Sequence, residues 1–178
     1  MPHHSLNLLR AAGALALGAA GALALVPLAA LGVADDASAV FGVTLPPGYR
    51  DWQVISVAHE AGNTNDIRAI LGNDVAMRAF RAGTQPFPDG TIIARVAWRY
   101  EASAANNAAF GREQSFVAGA PTNVQISIRD GQRFASTGGW GYGQFEGGRP
   151  NRSEPLLNTC FPCHSGAATD LVFTRYSP

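Results

Sequence analysis

The sequence Cys160-Phe161-Pro162-Cys163-His164 constrains this chain more than any other feature. Two cysteines separated by two residues and followed directly by a histidine are the attachment signal for a c-type haem. Each thiol adds across one vinyl group of the porphyrin, so the spacing must match neighbouring positions on the ring edge. The next side chain then lies under the iron, where His164 is the expected proximal ligand. We predict one haem c, covalently attached through Cys160 and Cys163, with the second ring nitrogen of His164 donating to a carbonyl or carboxylate.

Three other interpretations of this motif compete with haem attachment. A structural zinc site normally needs four ligands, so His59 would have to complete the set. A dithiol redox motif is expected beside a βαβ pattern, which the sequence does not show. A structural disulfide across two intervening residues closes a strained small ring. Covalent haem is the interpretation that we favour.

The beginning of the chain predicts export. An apolar run at residues 11–34 is followed by Ala37-Ser38-Ala39, the small-x-small pattern of a signal peptidase site. We expect residues 1–39 to be a signal peptide and residues 40–178 to form one haem-binding domain. The run is longer than a usual signal core, so an uncleaved membrane anchor is the alternative. A periplasmic location agrees with the motif, because c-type haem is attached outside the cytoplasmic membrane.

The charge pattern argues against a nucleic acid partner. The chain has thirteen Lys or Arg residues and thirteen acidic residues, with no basic patch of the kind that binds phosphates. All thirteen are arginines, because the sequence contains no lysine. This absence limits the chemistry that the chain can perform on a haem.

Residue patterns in the first half of the domain predict strands and one clear helix. Residues 49–58 alternate β-branched and aromatic side chains, which indicates a strand, and residues 59–65 read as a polar loop. Residues 67–71 fit either a strand or a helical turn. Asn73 suits the N-cap of a helix over residues 74–82, which Gly83 would end.

The second half of the domain is dominated by predicted strands. Residues 91–100 give the clearest one, because Ile93 and Arg95 alternate with an apolar face. Residues 103–122 are rich in Ala, Asn and Gly and are expected to lie over the core. Their anchors would be Phe110 and Phe116.

Three further strands complete the predicted fold. Residues 123–129 alternate cleanly, and residues 138–145 place aromatics between glycines, which suits a strand that a flat group or another backbone approaches closely. Residues 170–176 are predicted as the last strand. The expected fold is α+β and predominantly β, with an antiparallel sheet and a few short helices.

Several stretches together resemble the cytochrome P-460 family. They are YRDW from Tyr49, PFPDGT from Pro86, IRDGQRFASTGGWGYGQF from Ile128, CFPCH from Cys160 and DLVFTRY near the end. The resemblance implies a mostly β domain with one haem, a five-coordinate iron and a homodimer. Family members bind nitric oxide, and the enzyme that gives the family its name oxidises hydroxylamine.

One position departs from the family pattern. In the named enzyme a lysine after the DGT turn bonds covalently to the porphyrin, and this chain has Arg95 at the matching position. A guanidinium stays protonated and is a poor nucleophile, so Arg95 should not form the cross-link. We expect an ordinary haem c, a change that gas binding tolerates better than hydroxylamine turnover.

Few residues are candidates for positions near the iron. Once a leader is removed, His59 and Met77 are the potential sixth ligands, although an exposed loop and core packing suit them better. Arg95 either donates hydrogen bonds to a ligand on the open side of the haem, or pairs with a haem propionate or a surface carboxylate. Aromatic side chains expected to pack on the haem or in the core are Trp140, Tyr142 and Phe145.

Three functions follow from these expectations. The first is the capture of nitric oxide or a small nitrogen species at a five-coordinate iron bound by His164. The second is an oxidoreductase that oxidises hydroxylamine or nitric oxide and passes electrons to another cytochrome. The third is an electron carrier with a six-coordinate iron.

Overall fold

The computed structural model describes residues 36–178, which form one antiparallel sheet with short helices around it. The six strands lie side by side in sequence order, and each pairs antiparallel with the next. The predicted α+β, predominantly β fold is therefore confirmed. Within residues 36–178, no helix is long and apolar enough to cross a bilayer.

The elements have the following bounds. The strands are β1 (Gln53–Glu60), β2 (Asp66–Gly72), β3 (Ile92–Ala102), β4 (Phe116–Arg129), β5 (Trp140–Glu146) and β6 (Arg149–Pro150). The α-helices are α1 (Asp74–Ala82), α2 (Ala104–Phe110), α3 (Glu154–Leu157) and α4 (Cys160–His164), and single 3-10 turns occur at Tyr49–Asp51 and Ala135–Thr137.

The predicted leader lies mostly outside the described residues, which exclude the apolar run at 11–34. Its last residues are described and pack on the domain. Ala37 forms a β-bridge with Thr44, and Ser38 is 1% exposed with its hydroxyl donating to the Tyr142 carbonyl at 3.4 Å. Cleavage after Ala39 would remove this packing, and it stays a prediction.

The predicted helix and its two caps are confirmed. Helix α1 spans Asp74–Ala82, Asn73 accepts from the Ala76 amide at 2.9 Å, and Gly83 ends the helix with a φ of 64°. The Asn73 side chain also accepts from the Ile92 amide at 3.1 Å and donates to the Gly90 carbonyl at 2.9 Å. One side chain therefore joins the start of α1 to the turn before β3.

The predicted alternation along β3 is also confirmed. Ala94 and Val96 belong to one buried cluster, whereas Ile93 belongs to another. Because successive side chains of a strand point to opposite faces, the sheet has an apolar cluster on each face. Buried members of the first cluster include Ile55, Met77, Phe87, Trp140 and Tyr142, and those of the second include Val43, Val124, Ile126, Phe134 and Phe145.

Two predictions in the first half of the domain were wrong in their bounds. Residues 49–58 do not form one strand, because Gly48 adopts a φ of 68° and Tyr49–Asp51 make a 3-10 turn before β1 starts. Strand β1 then continues to Glu60, so His59 lies in a strand and not in a loop. Cross-strand pairing with β2 extends the strand through these polar residues.

The prediction that residues 103–122 lie over the core was also wrong. They form α2 and the first half of β4, in an arm where β3 and β4 pair as far as Ala102 and Phe116. No residue of α2 is buried, and Phe110 and Phe116 are 56% and 38% exposed, so neither anchors the segment. Phe116 instead stacks on Tyr100, with ring centroids 4.6 Å apart.

The glycines of β5 do meet a flat group. A Cβ added at Gly141 would overlap the ring of Phe134, which is 5% exposed. Phe134 belongs to the second cluster with Phe145, so this close approach occurs on the face of the sheet opposite Tyr142. The glycine spacing therefore serves core packing on that face.

We predict that Gly141→Ala lowers the free energy of unfolding by about 1–3 kcal/mol, because the buried Phe134 ring has little room to move. The denaturation midpoint in urea measures the loss. Gly119→Ala is the control, since the atoms nearest its added Cβ are at the exposed carboxyl end of the flexible Glu101 side chain. The control should change stability by less than about 0.5 kcal/mol. Equal losses in the two variants would contradict the packing argument.

We also predict that Asn73→Ala lowers the free energy of unfolding by about 2 kcal/mol, the upper end of the range for N-caps, because three hydrogen bonds are lost. Chemical denaturation at constant m-value is the measurement. Ser103→Ala is the matched control, because Ser103 caps α2 through one bond of 3.4 Å. Its cost should be about 0.5 kcal/mol. A loss in Asn73→Ala no greater than the loss in the control would contradict a role of Asn73 in joining the two segments.

Candidate functional site

The cysteine and histidine motif is folded as the short helix α4. Cys160, Cys163 and His164 are at positions i, i+3 and i+4, which share one face of a helix. Pro162 is in the first turn, where its missing amide hydrogen removes no helical bond. The two sulfurs are not bonded to each other. All three motif side chains line the same cavity.

His164 is oriented by a backbone carbonyl. Its Nδ1 lies 2.7 Å from the carbonyl oxygen of Leu171, an acceptor, so Nδ1 carries the proton. Burial lowers the pKa of His164, and this hydrogen bond opposes that effect only in part. The neutral ring therefore keeps a lone pair on Nε2, which is the form of histidine that ligates a metal.

The Leu171 carbonyl reaches His164 because the chain turns sharply there. Asp170 and Leu171 have φ values of 43° and 63°, in the left-handed region that Asp tolerates better than most residues. The Asp170 carboxylate accepts from the Phe87 amide at 2.7 Å and ties the turn to the segment before β3. The predicted strand at residues 170–176 is therefore wrong, because a turn occupies its start.

The cavity lies against one face of the sheet and has a volume of about 530 Å³. Its floor is made by alternate residues of β1 to β5, which share a face because the side-chain period of a strand is two. An apolar part comes from Ala58, Ile70, Ile93 and Val172, and a polar part from Arg68, Arg95, Gln125, Ser127, Tyr142 and Gln144.

Two aromatic rings flank His164. The ring of Tyr142 is centred 4.6 Å from that of His164, and the ring of Phe173 is centred 5.3 Å from it. Phe173 is 60% exposed, whereas Tyr142 is 3% exposed and burial raises the pKa of its phenol. Of the three aromatics predicted to pack on the haem or in the core, Tyr142 lines the cavity. Trp140 is fully buried against Phe87.

Arg95 lines the cavity from β3 and has two protein partners. Its Nη1 donates to Asn123 Oδ1 at 2.7 Å, and its Nη2 forms an ion pair with Asp66. Burial lowers the pKa of Arg95 and neighbouring Arg68 adds to this, while Asp66 opposes it; the guanidinium remains charged at any ordinary pH. The carboxylate that pairs with Arg95 is buried, at 3% exposure, and is not at the surface.

Arg68 and Asp66 are cavity-side residues that the sequence interpretation missed. They are two positions apart on β2, so both face the same side as Ile70. Asp66 pairs with both arginines, and Glu60 pairs with Arg68 from the rim. The sequence did contain a signal for them, because Asp66 and Arg68 alternate with apolar residues at the start of this short apolar stretch.

The two potential sixth ligands lie elsewhere. His59 stacks on Tyr100 with ring centroids 3.8 Å apart and hydrogen-bonds to Asn65. Met77 is 2% exposed and packs in the first cluster. Among residues 36–178, no group of three or more His, Cys, Asp or Glu side chains is arranged to hold a metal ion, so the zinc interpretation finds no support.

The residues present fit a haem. The cavity has the size of a small-molecule site, and it combines an apolar floor with a histidine and two thiols on one helix face. Within the described part of the chain, Tyr142 Oη and Arg68 Nη2 are buried with no hydrogen-bond partner. Unpaired buried donors at a cavity suit the binding of a polar group there.

Comparison with known protein families also indicates a haem protein. A search of curated proteins returned no match. The family model for cytochrome P-460 matches residues 46–174, which include every strand, the cavity floor and the helix with the two cysteines. This match covers most of the chain, and the chain therefore belongs to the cytochrome P-460 family, whose members are haem proteins.

Proposed function

We propose that the chain is an exported protein with one haem c that binds nitric oxide or a similar small nitrogen species. The haem is attached through Cys160 and Cys163, and His164 is its proximal ligand. The observation that carries the proposal is the orientation of His164, whose Nδ1 donates to Leu171 and leaves Nε2 for the iron. Both cysteines share its helix face, as thioether attachment requires.

An open coordination position is supported by what lines the cavity. Among its described lining residues, His164 is the one His, Met or Lys side chain. His59 and Met77 already have other contacts, so neither is available without rearrangement. Two strong protein ligands would favour electron transfer, whereas a vacant position favours ligand binding.

The polar part of the floor suits a bound nitrogen species. Arg95 is held by Asp66 and Asn123, so its guanidinium presents a charged donor whose direction is fixed before a ligand arrives. Gln125 pairs with Arg95 across β3 and β4 and adds an amide beside it. These groups would hydrogen-bond to a polar diatomic ligand and slow its release.

Location and partners are part of the proposal. Haem c attachment requires export, so we place the working protein in the periplasm, or at the membrane if the leader is retained. A homodimer and a redox-partner cytochrome follow from the family resemblance alone.

An oxidoreductase is the second candidate, and one observation favours it. Gln125 donates to Gln144 at 2.9 Å, and Gln144 donates to exposed Glu146 at 3.1 Å. This polar row leads from the cavity floor to a solvent-exposed carboxylate, which is the kind of proton acceptor that hydroxylamine oxidation would need. Haem-dependent turnover of hydroxylamine with an artificial electron acceptor distinguishes this function from binding alone.

We predict that the purified ferric protein has a high-spin, five-coordinate haem spectrum, and that nitric oxide changes the Soret band of the ferrous protein. His164→Gln should abolish the five-coordinate histidine spectrum, because it removes the proximal nitrogen. His59→Gln is the control, since His59 contacts Tyr100 and Asn65, and its spectrum should match the wild type.

The haem should stay on the chain in SDS unless Cys160 and Cys163 are both replaced by Ala. A low-spin six-coordinate spectrum at neutral pH contradicts the proposal.

We further predict that Arg95→Leu accelerates nitric oxide dissociation by about 10- to 100-fold, which corresponds to losing a charged hydrogen bond of about 1.5–3 kcal/mol. Stopped-flow trapping of released nitric oxide measures the rate. The control is Arg99→Leu, an exposed arginine on the same face of β3. An unchanged rate in a folded Arg95→Leu protein with normal haem content would exclude Arg95 as the donor.

A further inference from the structure

Arg68 has one buried donor that the protein does not satisfy. Its Nε donates to Asp66 Oδ1 at 2.7 Å, and its Nη1 pairs with Glu60. Its Nη2 forms an ion pair with Asp66 Oδ1 at 2.7 Å but makes no hydrogen bond with it. No other acceptor among residues 36–178 replaces it. A buried donor without an acceptor costs free energy, so a bound group at this position is expected.

The charge around Arg68 is balanced only by a carboxylate at the rim of the cavity. The side chains of Arg68, Arg95 and Asp66 are 13%, 14% and 5% exposed, so the buried part of this cluster carries a net charge of +1. Glu60 is the remaining partner, but its side chain is 58% exposed and lies on the rim. Solvent screens a rim carboxylate more than a buried one, so the interior of the cavity is suited to one more anion.

The position of Arg68 in the sheet indicates which anion fits. Helix α4, with the two cysteines, packs against β5, and β2 is three strands away, about 14 Å at the usual strand spacing. Thioethers at Cys160 and Cys163 would hold the edge of the haem that carried the vinyl groups. The two propionate carboxylates project from the opposite edge and would extend toward β2.

We propose that Arg68 binds one haem propionate through Nη2, while Asp66 and Glu60 hold the other guanidinium nitrogens. This inference rests on the proposed attachment of the haem through Cys160 and Cys163. Arg68 is then a positioning residue that fixes the far edge of the ring. Asp66 pairs with both Arg68 and Arg95. The arginine proposed to bind the propionate and the arginine proposed to contact the ligand therefore share one buried carboxylate.

Resonance Raman spectra of the native holoprotein test the proposal through the propionate bending bands. Arg68→Gln should shift one of the two bands and leave the other in place, because one carboxylate loses its donor. Arg99→Gln, the exposed neighbour on β3 opposite Asp66, should shift neither. Arg68→Lys keeps the charge but not the planar fork of donors, so it should shift the same band by a smaller amount.

The result that overturns the proposal is an unchanged pair of bands in Arg68→Gln at wild-type haem content. If that variant does not fold, unchanged bands in Arg68→Lys overturn it equally. Failure of the proposed attachment has a different signature, because haem that leaves the wild-type chain in SDS contradicts the thioethers. The Raman comparison on the native protein is unaffected by that outcome.

Discussion

The hydrogen bond from His164 Nδ1 to the Leu171 carbonyl is the interaction on which the candidate site depends. It selects the tautomer and leaves Nε2 as the ring nitrogen with a free lone pair. The carbonyl is in reach because two left-handed residues turn the chain, and Asp170 ties this turn to the Phe87 amide. The orientation of His164, the proposed iron ligand, therefore depends on a contact between segments 83 residues apart. Such an outer contact adjusts the electronics of an iron as well as its geometry.

The two faces of the sheet serve different purposes, because successive side chains of each strand point to opposite faces. On β3, Ala94 and Val96 face a dry cluster closed by Phe134 and Phe145, and this cluster provides rigidity. The opposite face begins as core at Met77 and Trp140 and then opens into the cavity. Polar groups on this second face can be held to fixed directions because their strands are anchored by the first. A site built on paired strands is more precise than one built on loops.

The sequence was sufficient where the signals were local. Asn73 and Gly83 determine the ends of α1 through bonds within a few residues, and the alternation along β3 identified which side Arg95 occupies. It was insufficient where distant segments decide the structure. Residues 170–176 look like a strand, yet the hydrogen bond to Phe87 and the one to His164 hold their start in a turn. The cluster of Asp66 with Arg68 was missed for a similar reason, since its partners lie on three different strands.

Arg95 stands where the resemblance to the family implies a cross-linking lysine, and this difference changes more than the capacity for a cross-link. A lysine amine can lose its proton and attack a porphyrin, whereas a guanidinium stays charged and binds by directed hydrogen bonds. In this chain Asp66 and Asn123 occupy both terminal nitrogens of Arg95, so its plane is fixed and its charge is partly balanced. A fixed cation beside the proposed open iron would stabilise a ligand that gains negative charge when it binds, and it would add nothing to electron removal from that ligand. Under the proposed function, the geometry around Arg95 would therefore favour retention of a bound nitrogen species over its oxidation.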